Sequence, residues 1–313
     1  MKTTAKLVDL RWLADAYEQA QSIRVATAER IRAVLQGRDK TWGNYVTDVD
    51  PDVVLKSIAK GEELGPVPLL GLTYYRHKME EDELRKEMNL ALQAHPAWPW
   101  MSRIKGIGPT LGAKVLAHFD PHLADHASSF WAFAGLATVP GESYHCETCG
   151  LTCAWPVGYN VTGVHQMLGS PGAWKAKDDE IDEKKKCKGK LVKVAGPEDG
   201  VRTAQPRPAK GQKSPYDQYA KKVMYLLGSS FIKAGEGPYE AHYRKHRARL
   251  EVERPGWADG RKHFTALRIT EKLFLAHLWQ IWREALGLPT GDPYAMAELG
   301  HTGFIDPWSM VEE

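Results

Sequence analysis

No run of 18 apolar residues occurs in the chain, which argues against a membrane-spanning helix. The opening MKTTAKLVDLRW lacks the continuous apolar core of a secretory signal, so the protein is expected to stay inside the cell. Charge of one sign is scarce too. The 42 Lys and Arg against 39 Asp and Glu leave a formal net charge of +3, so nucleic-acid binding has to be argued from local patches and not from the total. Cysteine is rare: four in 313 residues, all in one segment, Cys146, Cys149, Cys153 and Cys187. In a reducing compartment that clustering points to a metal and not to disulfides. Disorder is excluded by composition, because 43% hydrophobic and 10% aromatic residues supply the core of two or three domains.

What is present first is helix. From Val8 to about Leu35, apolar residues (Leu10, Leu13, Ala14, Tyr17, Ala20, Ile23, Ile31, Val34, Leu35) recur at three- and four-residue steps, with Thr27 the one polar residue on the stripe. Gly37 is a stop. Asp50-Pro51 caps a short helix to about Lys60, and Gly65-Pro66 ends that stretch. A second long helix, PLLGLTYYRHKMEEDELRKEMNLALQAH, carries opposite charges four apart: Arg76 with Glu80, Lys78 with Asp82, Glu81 with Arg85, Asp82 with Lys86. Helices of about 28 residues reach roughly 42 Å. Residues 1–98 are therefore expected to form a long helical hairpin or a dimer-forming coiled coil, with a plain helical bundle as the other solution.

The stretch MSRIKGIGPTLGAKVLAHF changes the subject. A short apolar helix runs into Gly106-Ile107-Gly108, and Pro109 opens a second helix, which is the pattern of a helix-hairpin-helix over residues 99–140. The glycines are expected to allow a tight turn and a close approach of phosphate to the backbone. Unpaired amides and the helix dipole welcome an anion at the start of the second helix, and Pro109 has no N–H to leave unsatisfied there. Candidate DNA contacts are Lys105, Gly106, Ile107, Gly108, Thr110 and Lys114, gripping sugar-phosphate and reading no bases. The blander reading is a simple helix-helix turn. Ser128 or Ser129 then caps a short aromatic helix that Gly135 ends.

Cys146-x-x-Cys149-Gly follows, a tight knuckle in which two thiolates face one ion. Structural Zn2+ needs four ligands. His165, in VTGVHQ, and Cys187, in the turn Cys187-Lys188-Gly189, complete the set, with Cys153 a rival to His165 and His145 a weaker one. Residues 141–214 thus read as a zinc-ribbon-like β insert and basic linker, stabilised by metal because it has little core of its own. Within it, Arg202, Arg207, Lys210 and Lys213 suit either a flexible linker or an extended arm along a nucleic acid.

Helical periodicity resumes over residues 215–313. Tyr219, Val223, Leu226, Leu227 and Phe231 share one face until Gly235. PYEAHYRKHRARLEVE holds the densest basic and aromatic patch, from which Arg244, Lys245 and Arg247 are candidate phosphate contacts; a solvated helix is the alternative. A last helix, from about Asp259 to Leu286, carries Phe264, Leu267, Ile269, Leu273, Phe274, Leu278, Ile281 and Trp282 as core. The fold class expected is mainly α.

IKGIGPTLGAKVLAHF, SSFWAFAGL, KKVMYLLGSSFIKAGEGPYEAHYRKHRARLE and TALRITEKLFLAHLW, in that order between about Trp100 and Leu286, resemble the C-terminal transposase domain of the insertion-sequence 110 family, the RNA-bridged DEDD recombinases. The two N-terminal helices resemble the coiled coil preceding that domain. The resemblance implies DNA as partner, a guide or structured RNA as a second, a homodimer through the N-terminal helices, and a nucleoid-associated location. It also implies a nucleophilic serine shortly after Ala-x-x-Gly-Leu, which falls on Ser143 in VPGESYH; a serine merely structuring a turn is the competing reading, and a hydroxyl needs a base such as His145 to attack phosphorus. The family's RuvC-like domain, with its four metal-binding acidic residues, has no counterpart here. Three readings follow: a transposase-related DNA-binding protein of a mobile element or phage; an active serine recombinase or nuclease; and a structural zinc protein that binds another protein through its helices.

Overall fold

The computed structural model describes residues 2–39, 41, 49–65, 67–148, 150, 152–158, 165–166, 186–187, 189–205, 213–291 and 304–312. Helices account for 62% of the chain and strands for 9%, so the fold is mainly α with a small antiparallel sheet. Two compact units divide it: residues 1–120 with 311–313, and residues 121–310. The Gly-x-Gly turn and the helix after it fall in the first unit, that helix packing on the long N-terminal helices.

The first unit is helical throughout. Helix α1 (Lys2–Leu35) ends where Gly37 takes a positive φ of 67°. Helix α2 (Pro51–Lys60) starts on the Asp50 carboxylate, which accepts from the Asp52 N–H at 2.9 Å, and closes on left-handed Gly61. Helix α3 (Pro68–Gln93) runs along α1. Ile31 and Leu35 share a core cluster with Leu70 and Tyr74, while Tyr17 and Arg24 meet Glu81. Numbers rise along one helix as they fall along the other, so the pair is antiparallel. Glu81 is not the surface partner of Arg85: it is buried, ion-paired to Arg24 and hydrogen-bonded by Tyr17 Oη and Gln21 Nε2, each at 3.2 Å. Burial pushes its carboxyl up, but Arg24, Gln21 and Tyr17 outweigh that and hold it below its usual range. Helices α4 (Trp98–Met101) and α5 (Pro109–His118) complete the unit, with α5 against both α1 and α3.

The second unit gathers around one long helix. After α6 (Ala127–Phe133), strand β1 (Thr138–Cys146) is the shared member of the sheet. It pairs antiparallel with β2 (Thr152–Pro156) and β5 (Leu191–Ala195) over its second half, and with β6 (Arg202–Ala204) over its start. Strands β3 (His165–Gln166) and β4 (Lys186–Cys187) form a separate two-residue ladder. Helices α7 (Gln218–Ala234) and α8 (Pro238–Glu253) pack on α9 (Asp259–Ala285). Phe231, Tyr239 and Phe274, one from each, pack at ring-centroid distances of 4.8 to 5.8 Å, the first two stacked and Phe274 inclined to both; burying each ring contributes roughly 1.5–3 kcal/mol. Phe264, read as core, is instead 56% exposed beside Tyr225, because it sits in the first turns of α9 where α7 only grazes it. No helix among the described residues is long and apolar enough to cross a membrane.

Candidate functional site

The Gly-x-Gly turn sits between α4 and α5. Gly106 has φ +95°, which only glycine adopts cheaply, whereas Gly108 has φ −83° and ψ 165°, open to any residue. Only the first glycine is therefore conformationally required. Gly108 is the N-cap of α5 and brings no side-chain cap, and a Cβ built on it meets nothing within 4 Å. The first bond of the helix is Gly112 N–H to the Gly108 carbonyl at 2.9 Å. Among the described residues no acceptor meets the amides of Gly108, Thr110 or Leu111, while Pro109 has no N–H. Those amides stand at an exposed helix start with positive partial charge. Exposed Arg103 and half-buried Lys105 flank the turn, and neither ammonium nor guanidinium is ion-paired to a described residue. Arg103 escaped the sequence reading, although its place three residues before Gly106 is a signal available there.

Two expected contacts do not reach this surface. Lys114 is buried, donates to Glu18 Oε1 at 2.8 Å and stands 5.1 Å from the Tyr17 ring centre, so its charge is spent on α1. Ile107 is buried by its side chain, and its N–H goes to the Ile104 carbonyl at 3.1 Å. Its place in the turn is structural. Gly112 has the opposite role to Gly108: a Cβ there would lie 2.5 Å from the Trp98 ring, so this glycine lets α5 close on α4.

On α8, the basic residues are partly neutralised from within. Arg244 pairs with Glu240 yet keeps 71% of its side chain exposed; Arg247 is held by Glu251 and, at 3.2 Å, by Asp259. Lys245 is exposed. Arg247 is thus a poor phosphate contact, because two carboxylates already share its guanidinium, and Lys245 and Arg244 are the open cations of that helix.

The cysteine segment is brought together by strand pairing. Cys146 ends β1, fully buried, and Gly150, with φ +72°, donates to its carbonyl at 2.8 Å. That is the turn a Cys-x-x-Cys-Gly knuckle requires. His165 and Cys187 are direct Cα partners across the β3–β4 ladder. Gly189, two residues on, packs so closely that a Cβ on it would lie 2.7 Å from Cys146 Sγ. Cys149 and the side chains of His165 and Cys187 lie outside the described residues, as do Arg207 and Lys210. Among the described residues no three His, Cys, Asp or Glu side chains converge. Cys153 lies on β2 opposite Tyr144; burial pushes its thiol up, with Trp155 and Arg261 pulling the other way.

Ser143 is a mid-strand residue, not a turn serine: its Cα partners are Ala154 and Ala195, beside a register shift between Ser143 and Tyr144. Its neighbours are occupied. Glu142 receives Lys193 Nζ at 2.9 Å and Tyr144 Oη at 2.8 Å, and His145 Nδ1 faces Thr152 Oγ1 at 3.4 Å. No described residue hydrogen-bonds the Ser143 hydroxyl. On α6 the N-cap is His126, without a side-chain bond, and Ser128 and Ser129 lie inside the helix, where Ser129 N–H goes to the His126 carbonyl at 2.9 Å. Comparison of the chain with family models, with curated proteins and with solved structures finds no match.

Proposed function

We propose that the chain is a transposase-related DNA-binding protein of a mobile element or phage, which holds the sugar-phosphate backbone at the start of α5. One observation carries this reading: the amides of Gly108, Thr110 and Leu111 lack acceptors among the described residues, at a bare and exposed glycine flanked by Arg103 and Lys105. The resemblance of residues 100–286 to the insertion-sequence 110 transposase domain supports the same partner, and leaves room for a structured RNA. Trp12 and Ile23, three helical turns apart on α1 and 64% and 47% exposed, support a homodimer through the N-terminal helices.

Structural Zn2+ belongs to this reading. Cys146, Cys149, His165 and Cys187 would hold it; the cross-strand pairing of His165 with Cys187 and the packing of Gly189 on Cys146 Sγ support that ligand set. Four protein ligands leave no open position, so the ion would fasten the sheet and take no part in chemistry. Serine catalysis is the weaker alternative, because Ser143 has no base at hydrogen-bond reach among the described residues.

The test is affinity for duplex and branched DNA across a salt series, comparing wild type with Gly108→Asp. Backbone binding falls steeply with salt, and a carboxylate at the helix mouth weakens it. Affinity indifferent to salt, or unchanged in Gly108→Asp, would overturn the proposal.

A further inference from the structure

In the second unit, a group of cations lies where α9 passes the end of α6 and the start of β1. Arg268 donates through Nε and Nη2 to the Leu136 carbonyl at 3.0 and 2.8 Å, and through Nη2 to the Ala137 carbonyl at 2.8 Å. Arg202, on β6, reaches the next residue, with Nε to Thr138 Oγ1 at 2.9 Å and Nη2 to the Thr138 carbonyl at 2.7 Å. Lys272, one helical turn beyond Arg268, sends its ammonium back over the Trp131 ring, 4.1 Å from the centroid, while its carbonyl accepts from Trp131 Nε1 at 2.9 Å. Three consecutive residues thus anchor two guanidiniums, and an indole supports the ammonium beside them.

Among the described residues this arrangement lacks a counter-charge. No described carboxylate is within ion-pair distance of Arg202, Arg268 or Lys272. Glu271 lies against Gly228 on α7, where a Cβ would be 2.9 Å from its Oε1, and interacts with Arg268 through space without an ion pair. Burial holds that carboxyl up at about 7, so it is only about half ionised at neutral pH. Burial first, and then the neighbouring Arg268 and Arg202, push the Lys272 ammonium below its usual value. Clustered like charges on the surface of a fold are costly unless something answers them, and guanidiniums pre-oriented on carbonyls keep their remaining N–H groups for an oxyanion.

We infer that Arg202, Arg268 and Lys272, set around the Trp131 indole, form a phosphate-binding site. Arg268 and Arg202 present N–H edges fixed by the Leu136–Thr138 backbone, and Lys272 supplies the mobile third donor, exchanging its place over the ring for an anion. The flat indole beside the cations suits a nucleotide phosphate with a base to stack. The site rests on the DNA-binding reading only for where its phosphate comes from; a free phosphate ester offers the same chemistry.

Calorimetric titration with inorganic pyrophosphate, and separately with a short single-stranded oligonucleotide, tests it on the full chain. Wild type is expected to bind both. Lys272→Gln and Arg202→Gln should each weaken pyrophosphate binding about tenfold, the worth of one charge-assisted hydrogen bond, while Lys272→Arg retains it. Melting curves of the variants show that they fold. Pyrophosphate binding that is undetectable in wild type, or as tight in Lys272→Gln and Arg202→Gln as in wild type, overturns the inference. Pyrophosphate binding as described with no oligonucleotide binding keeps this site for free phosphates and removes the DNA reading alone.

Discussion

Lys114 Nζ lies 2.8 Å from Glu18 Oε1, a link between α5 and α1 across 96 residues of sequence. It holds the hairpin's second helix to the long N-terminal one, with the Tyr17 ring beside it. Lys114→Ala is expected to lower stability by roughly 1–3 kcal/mol, since it strands a carboxylate that is largely covered. DNA affinity should stay within twofold. Chemical denaturation alongside a DNA titration checks both, and a drop in affinity without loss of stability would return Lys114 to the interface.

The three glycines of the hairpin should answer differently to alanine. Gly106→Ala forces a Cβ into the left-handed region, at about 1–2 kcal/mol. Gly112→Ala drives a methyl into the Trp98 ring, for roughly 1–3 kcal/mol of overpacking. Gly108→Ala should leave stability within about 0.5 kcal/mol, because its backbone is ordinary and its surroundings open. Thermal melts of the three variants rank them; a large loss in Gly108→Ala would mean that the turn is built otherwise.

Metal analysis of the purified chain should find about one zinc per molecule. Cys146→Ser and His165→Ala should each release it, with loss of protease resistance across residues 141–205, while Ser143→Ala keeps it. A protein that resists proteolysis equally with and without chelator would refute a structural ion.

Stability should respond to pH in two opposed windows. His277 accepts from Tyr239 Oη at Nδ1, 2.7 Å, and donates from Nε2 to the Ile305 carbonyl, 2.9 Å, so it folds neutral; burial pushes it down to about 4, and His242 likewise. Their contribution is present above the ordinary histidine value of 6.5 and is lost as pH falls toward 4. Glu271 works in reverse. With its folded value raised from 4.5 to about 7, its stabilisation is complete below 4.5 and is lost as pH rises through 7. Glu271→Gln should therefore gain on wild type by roughly 3 kcal/mol between those limits. Denaturation at several pH values reads this directly, and a wild-type-to-variant difference that ignores pH would show the carboxyl to be charged and paired throughout.

Where the sequence was legible, the cause was local. The Asp50 cap and the Gly37, Gly135 and Gly235 stops depend on a few neighbouring residues, and the structure places them accordingly, as it does much of the apolar face of α9 but not Phe264. Glu81 and Lys114 were misread because their partners, Arg24 and Glu18, are distant in sequence, and helix propensity alone assigns each charge to the surface. The serines of α6 show the same limit: an N-cap is set by where the chain enters the helix, and His126 enters first. Within the candidate site, Gly106 and Gly108 were recognisable as a pair, but only backbone angles separate the one that makes the bend from the one that leaves room.

Strand β1 carries Thr138 at its beginning and Cys146 at its end, about 26 Å apart at roughly 3.3 Å per residue. The phosphate shelf and the metal knuckle would therefore be two ends of one rod. Between them, at Ser143 and Tyr144, the ladder slips its register. A strain introduced at the thiol end, by oxidation or loss of an ion, has that irregularity in which to dissipate before it disturbs the guanidiniums. On those two proposals, fraying at the cysteines would leave the anion site in place.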